Sequence, residues 1–330
     1  MNVQRPVALY YSILKYQSEN RQRLDALFEV IELPDPSQDT VEILSRVEIL
    51  FAPLGYQVDK VKIDAAPRLK VIASNTTGHP HIDVVYAKSK GTHVACLKYA
   101  QEFLATITPT AELTWGLIIA LTRNLFQAHH AALQGCWDRR PFASPAMLSR
   151  LSLGIVGLGR LGSLVACYGR AFGMTVRYYD PYVESQAEGI ERLTSLQDLV
   201  SVSDIVTIHI PHEPETENIF DQAVFSCFKK GSYLINTARG ELIDWGAFLQ
   251  ALHDGRLAGA ALDVFEGEFV PGFNDRFPSH PVLDYARTHH NLILTPHIGG
   301  STVDAWRLTE AHTIDMIQSF LRTDNEDQHG

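Results

Sequence analysis

The stretch LGIVGLGRLG, residues 153–162, decides the reading of this chain. Residues 153–156 are a short apolar, strand-like run, and Gly157-x-Gly159-x-x-Gly162 follows at once and opens a helical pattern. Each glycine has a physical task. Gly157 permits a tight strand-to-helix turn, Gly159 leaves room for a pyrophosphate to approach the backbone, and Gly162 lets the helix lie close on the sheet. The helix N-terminus then presents unpaired N–H groups and the positive end of its dipole to phosphates. A second strand-like run, 175–179, closes on Asp180, 18 residues beyond Gly162, where a carboxylate can accept hydrogen bonds from ribose hydroxyls. Strand, turn, helix and distal acid together predict a dinucleotide site. Asp180 favours NAD over NADP, because a carboxylate repels a 2′-phosphate. Arg160 and Arg177 are nearby cations that would soften that preference.

Outward from this unit, strand-like runs recur at 205–208, 233–236, 259–262 and 292–294, giving six strands joined by helices, the count of a dinucleotide-binding sheet. Upstream, residues 6–103 alternate strand-like runs at 7–10, 47–51, 71–74 and 93–96 with helical patterns around 18–28 and 82–90, which implies a second parallel sheet covered by helices. Between the two series a helical pattern is predicted from about 110 to 135, with Thr110 as its N-cap, followed by loop-like residues 136–152. A last helix is expected over 303–322, before the polar tail TDNEDQHG. The fold class expected is α/β: two parallel-sheet domains, one inserted in the other.

Composition narrows the function classes. The 330 residues carry 28 basic and 38 acidic side chains, a net charge of −10, which argues against nucleic acid or an anionic membrane as the main partner. Cys96, Cys136, Cys167 and Cys227 form no CxxC or zinc spacing, and buried or inert thiols in a reducing cytosol are expected. The N-terminus lacks a signal-peptide pattern, and apolar runs such as 117–121 are short for a membrane span. His79 and His81 lie close together, but no Cys or acidic cluster completes a ligand set, so no metal is expected. His209 and His212 bracket Pro211 at a strand end, as structural histidines or cofactor contacts.

Three loops follow predicted strands of the second series, where open α/β sheets bind ligands. They are INTARGELID (235–244), ALDVFEGEF (261–269) and TPHIGGST (295–302), and they carry Arg239, Glu268 and His297. Arg239 can grip a carboxylate through its planar fork. His297 can exchange a proton with a hydroxyl or alkoxide near neutral pH, and Glu268 can hold the other ring nitrogen. With a nicotinamide, this set would transfer hydride to the carbonyl of a 2-oxo acid.

The chain resembles the D-isomer-specific 2-hydroxyacid dehydrogenases, a family that includes D-3-phosphoglycerate dehydrogenase and glyoxylate/hydroxypyruvate reductases. The matching segments are SNTTGHPHID (74–83), TAEL (110–113), WDR (137–139), GLGRLG, NTARG, DVFEGE and PHIGGST, in order from about 45 to 310. The resemblance implies a flavodoxin-like substrate domain, 1–103 plus 296–330, around an inserted Rossmann-like NAD domain, 104–295, with the active site in the cleft between them. It implies Arg239, Glu268 and His297 as the catalytic set. It places Asn75, Thr76, Thr77 and Gly78 on the substrate carboxylate. It puts Gly157, Gly159, Arg160, Leu161, Gly162, Asp180, Ile210, Thr216, Thr237, Ala238, Asp263, Gly300 and Thr77 against NAD. The 110–135 helix resembles the family's dimer element, so a cytoplasmic homodimer acting on a small 2-oxo or 2-hydroxy acid is expected.

The sequence also departs from the family. Phe269 stands where proline is usual, Ser149-Arg150 replaces Gly-Lys, and VPGFNDRFPSHP (270–281) is a longer loop that could reshape the mouth of the site. A C-terminal regulatory domain, and with it serine feedback, is not expected. The substrate stays open. Arg139 or Arg140 could be surface charge or could reach a substrate phosphate, yet FAPLGY (51–56) and ASNTTG (73–78) hold no basic residue, leaving Lys60, Lys62 and Lys98 as substitutes. Formate and phosphite dehydrogenases of similar fold are the nearest enzyme rivals. Those acting on formate carry glutamine at the Glu268 position. An NAD(H)-sensing corepressor-like binding protein is the rival of another class.

Overall fold

Alternate residues of one strand face opposite sides of a sheet, and the first sheet shows this directly. Its strands are β1 (Val7–Tyr11), β2 (Glu29–Leu33), β3 (Ile49–Phe51), β4 (Val71–Ser74) and β5 (His93–Cys96). Leu9, Tyr11, Leu50 and Ile72 enter one core, with Leu44, Ile63 and Ala87. Ala8, Tyr10, Ile49, Phe51, Val71 and Ala73 enter the core on the other face, with Leu24, Ile314 and Ile317. A sheet buried on both faces is what an all-parallel arrangement requires. All neighbours pair in parallel, in the order β2-β1-β3-β4-β5, the flavodoxin-like order.

The second sheet comprises β6 (Ser152–Val156), β7 (Thr175–Tyr179), β8 (Ile190–Arg192), β9 (Ile205–Ile208), β10 (Ser232–Asn236), β11 (Leu257–Leu262) and β12 (Leu292–Leu294). They run in the order β12-β11-β10-β9-β6-β7-β8, all parallel. Chain direction across the sheet reverses between β6 and β9, which creates the crevice where such sheets take ligands. In this computed structural model residues 5–79, 81–144, 146–184 and 189–327 are described. The chain divides into two units, one made of residues 1–107, 269–271 and 302–330, the other of 108–268 and 272–301. The expected boundaries, 103/104 and 295/296, lie a few residues earlier.

Several expectations need correction. Two strands are missing from the sequence reading. β2 follows the helix Ser18–Leu27 with only Phe28 between them, and its five residues are half exposed at a sheet edge. β8 is a three-residue polar edge strand. The single 110–135 helix is two helices, Pro109–Thr122 and Leu125–Leu133, because Asn124 adopts a left-handed conformation with φ 49°, which asparagine tolerates better than most residues. The cap of the first helix is Thr108, with Pro109 in the first turn, and not Thr110. Residues Gln101–Thr122 reach the length and hydropathy of a membrane-crossing helix, a match the short apolar runs did not suggest. In this fold Ala111, Trp115, Leu117 and Ile118 from that stretch are core, packed with Leu153, Ile155 and Val165. Of the four cysteines, only Cys96 is buried.

Candidate active site

The first wall of the site is the turn after β6. Gly157 has φ +90°, and a Cβ there would lie 2.6 Å from Ile210 Cγ2 and 2.9 Å from the His209 carbonyl oxygen, so the turn rests on the loop after β9. A Cβ on Gly162 would fall 2.0 Å from the Gly157 carbonyl oxygen. Only glycine allows the helix Arg160–Ala171 to begin so close to the strand. Gly159, by contrast, faces open space. Its exposed backbone and the helix's first N–H groups form the cradle that a pyrophosphate fits. Arg160 and Leu161 start this helix, and burial holds the Arg160 guanidinium below its ordinary pKa.

Asp180 ends β7 and is buried. Its Oδ2 accepts the Leu158 N–H at 2.9 Å, and its Oδ1 accepts those of Tyr182 and Val183 at 2.9 and 3.0 Å. The carboxylate therefore braces the glycine turn from the place expected for the ribose. Arg177, read as a cation near Asp180, is paired with Glu191 at 2.8 Å. The cation that reaches Asp180 is Arg192, whose Nη2 donates to the Asp180 carbonyl at 2.9 Å. After β9, Thr216 Oγ1 accepts the Glu213 N–H and donates to the Pro211 carbonyl, closing the 211–216 turn. His209 Nε2 bonds Thr207 Oγ1 at 2.8 Å, and burial pushes its pKa down to about 3.

The loops carrying Arg239 and His297 each depend on a polar side chain at a strand end, and the loop carrying Glu268 on one in the turn after β10. Asn236, fully buried, accepts the Ala238 N–H at 2.9 Å and donates to the Arg239 carbonyl at 2.7 Å. It thereby fixes the turn that carries Arg239. Thr237 Oγ1 lies 2.9 Å from Thr114 Oγ1. A Cβ on Gly240 would sit 2.1 Å from the backbone of Phe265, so the Arg239 loop lies directly against the Glu268 loop. Glu241 accepts the Gly267 N–H at 3.1 Å, just ahead of Glu268.

Asp263, read from the sequence as a cofactor contact, is 1% exposed, and both of its oxygens hold the His297 turn. Oδ1 accepts from Thr295 Oγ1 (2.6 Å) and the Ile298 N–H (2.9 Å), and Oδ2 from the Gly299 N–H (2.7 Å). Within that turn His297 has φ 52°, a conformation costly for a side chain of this size. Its Nδ1 lies 2.8 Å from Glu268 Oε1. Gly300 faces open space. The sequence reading missed Asn236 and Glu241 as supports. Both lie in quoted motifs, but side-chain-to-backbone bonds within loops leave no periodic signal.

The longer 270–281 loop is braced, not loose. Phe273, Phe277 and His280 pack around Phe265, which stacks on Trp245 at 4.4 Å. The predicted carboxylate loop belongs to the other unit and follows β4. There Thr76 Oγ1 donates to the Gly78 carbonyl at 2.6 Å, and the Thr76 carbonyl accepts the Leu97 N–H at 3.1 Å. Among the described residues the N–H groups of Thr77 and Gly78 have no intramolecular acceptor. Asn75 is half-buried in the same loop. Of the candidate phosphate cations, Lys62 is already taken, by Asp39 at 2.6 Å and Tyr11 Oη at 2.9 Å. Arg140 forks onto Asp138.

Residues 115–299 match the family model described as D-isomer specific 2-hydroxyacid dehydrogenase, NAD binding domain. The chain belongs to that family. It is 35% identical over 285 residues to a glyoxylate reductase of Thermofilum pendens, covering 82% of this chain and 78% of that protein. It is 34% identical over 288 residues to a D-3-phosphoglycerate dehydrogenase of Methanocaldococcus jannaschii, covering 86% of this chain but 52% of the relative, so the chain spans about half of that protein's length. The crystal structure of D-lactate dehydrogenase from Aquifex aeolicus, complexed with NAD and lactic acid, superposes with a TM-score of 0.82 at 29% identity, over 97% of this chain and 96% of that one. Its relatives are oxidoreductases acting on CH–OH groups with NAD or, in some, NADP, and residues 115–299 carry the family's NAD-binding domain. The open cradle at Gly159, the helix start and Asp180 fit that cofactor.

Proposed function

We propose that the protein reduces a small 2-oxo acid to the D-2-hydroxy acid, with NADH as hydride donor. The observation that carries this reading is the 2.8 Å bond from His297 Nδ1 to Glu268, whose loop also abuts the Arg239 turn. The carboxylate accepts from Nδ1–H, so Nε2 is the nitrogen that exchanges a proton. As an imidazolium, His297 gives its Nε2 proton to the alkoxide that forms as hydride reaches the carbonyl carbon. As neutral imidazole, it takes that proton back in the reverse direction. The charge of Glu268 stabilises the imidazolium, and Arg239 clamps the substrate carboxylate. The Thr77 and Gly78 N–H groups supply further donors to that carboxylate. A glutamate at position 268, not glutamine, suits a hydroxyl/carbonyl substrate better than formate.

Two finer readings follow. The substrate is unphosphorylated, since the 51–56 and 73–78 loops hold no basic residue and Lys62 is committed to Asp39. The protein works as a homodimer through the 125–147 segment, where Leu125, Phe126, Leu133, Trp137 and Met147 are exposed apolar side chains. NADH oxidation at 340 nm across glyoxylate, hydroxypyruvate, pyruvate, 2-oxoglutarate and 3-phosphohydroxypyruvate tests the activity. Preference for the phosphorylated acid would overturn the substrate reading. Silence toward all five would overturn the activity and favour an NAD(H)-sensing protein.

A further inference from the structure

The β4 end of the first unit holds a buried histidine that the reaction does not use. His81 is 2% exposed, and its Nε2 lies 3.3 Å from the Ala52 carbonyl and 3.4 Å from Ser74 Oγ. Ser74 Oγ lies 2.8 Å from Thr76 Oγ1, which donates to the Gly78 carbonyl.

The direction of every bond in this chain can be worked out. A carbonyl oxygen only accepts, so the Thr76 proton is committed to Gly78 and its oxygen must accept from Ser74. The Ser74 proton is then committed as well, so Ser74 accepts from His81. The Ala52 carbonyl likewise requires a donor. His81 therefore carries its proton on Nε2, shared between Ala52 and Ser74. Its Nδ1 is left as a buried lone pair with no partner, and burial lowers the imidazole's pKa to about 4, so the ring is neutral at physiological pH.

We propose that His81 is a positioning residue for substrate recognition. Through Ser74 and Thr76 it fixes which way the N–H groups of the 75–78 loop point. The peptide unit is planar and trans, so pinning a carbonyl turns the following N–H the opposite way. Leu97 pins the Thr76 carbonyl, and this aims the Thr77 N–H. Thr76, held through Ser74 by His81, pins the Gly78 carbonyl, and this aims the His79 N–H. An apolar side chain would fill the same space without an orphaned nitrogen, so the histidine's gain lies in this relay. The inference rests on the proposed role of the 75–78 loop in holding the substrate carboxylate.

The test uses His81→Phe, which keeps a ring but removes the donor, and His81→Gln, whose amide retains one. Ser74→Ala cuts the relay at its second link. Because the loop N–H groups, unlike the Arg239 clamp, hold the carboxylate equally in the ground and transition states, His81→Phe and Ser74→Ala should raise KM for the 2-oxo acid about tenfold, with kcat nearly unchanged. NADH affinity by fluorescence titration should stay at the wild-type value, and His81→Gln should keep a near-wild-type KM. Nitrogen-15 NMR of the wild-type protein should show His81 protonated on Nε2 and bare on Nδ1.

A wild-type KM in both His81→Phe and Ser74→Ala, or an Nδ1–H tautomer, would overturn the positioning role and leave the proposed activity standing. Loss of kcat and NADH binding along with KM in His81→Gln would overturn it in favour of a general packing role. A wild-type protein silent toward all 2-oxo acids would overturn both.

Discussion

Glu268 Oε1 meets His297 Nδ1 at 2.8 Å, and the histidine that makes this bond sits in a left-handed backbone conformation. The strain is local and the contact is polar, so the geometry is set by chemistry at the expense of backbone comfort. Replacing the carboxylate by an amide keeps the shape and removes the charge. Glu268→Gln is expected to lower kcat/KM for reduction by about 10²-fold, in the range of positioned acid–base catalysis. His297→Ala should abolish turnover while NADH affinity by fluorescence titration stays within a few-fold. Weak NADH binding in that variant would assign the histidine a structural role.

Arg239→Ala should raise KM and lower kcat together, because the carboxylate clamp is expected to tighten in the transition state. Arg239→Lys should restore little, since a lysine cannot reproduce the planar fork. Steady-state kinetics of both variants decides the matter, and an unchanged KM in Arg239→Ala would remove the arginine from substrate binding.

Asp263 is expected to matter as much for the fold of one loop as for the cofactor. Asp263→Ala leaves the Ile298 and Gly299 N–H groups and the Thr295 hydroxyl without their acceptor. A loss of about 3 kcal/mol is expected from these charge-assisted bonds, together with a collapse in activity. Urea unfolding measures the first effect and NADH turnover the second. Full stability with lost activity would return Asp263 to a purely ligand-contacting role.

NADH should be strongly preferred to NADPH. The route used to relax that preference in other dinucleotide sites, removal of the acid, should fail here. Asp180 holds the Leu158, Tyr182 and Val183 N–H groups, so Asp180→Ala is expected to weaken NADH and NADPH alike and to lower Tm. A clean gain of NADPH turnover at unchanged Tm would show that the carboxylate is dispensable to the turn.

Buried histidines give the fold a defined acid sensitivity. The pKa of His81 falls to about 4 in the folded state from an ordinary value near 6.5. Between those values the unfolded chain binds the proton and the folded one does not, so stability falls as the pH drops from 6.5 toward 4 and changes no further below that. His209, lowered to about 3, extends the same trend. Thermal melts of wild type and His81→Gln at pH 7 and pH 4.5 should show a smaller drop for the variant.

Elements that announce themselves in sequence share one property, an apolar run closed by a turn residue. Residues 175–179, 205–208 and 292–294 are examples, and each forms a strand with those bounds. β2 and β8 escaped because edge strands are half solvated and carry Glu29, Glu32, Glu191 and Arg192. The helix break at Asn124 escaped because neither proline nor glycine marks it. The strand-end positions of Arg239, Glu268 and His297 were legible, because each motif directly follows a hydrophobic run. What holds those residues was not. The relay from His81 spans from Ala52 to Gly78, and Asp263 acts on residues more than thirty positions away. Such pairings depend on how the loops fold back, which no local pattern encodes.

The helix Val303–Asp327 supplies Ile314 and Ile317 to the core beneath β1, β3 and β4, and Glu310 accepts hydrogen bonds from the Gln17 N–H and Asn20. During synthesis these residues leave the ribosome well after the strands they cover. The nascent sheet must therefore wait, with one apolar face only partly covered, through the translation of nearly two hundred intervening residues that belong to the other compact unit. At common elongation rates that is a delay of tens of seconds. Chaperone demand during expression should accordingly centre on the sheet β1–β5, and premature termination near residue 300 should release a chain that aggregates through that sheet.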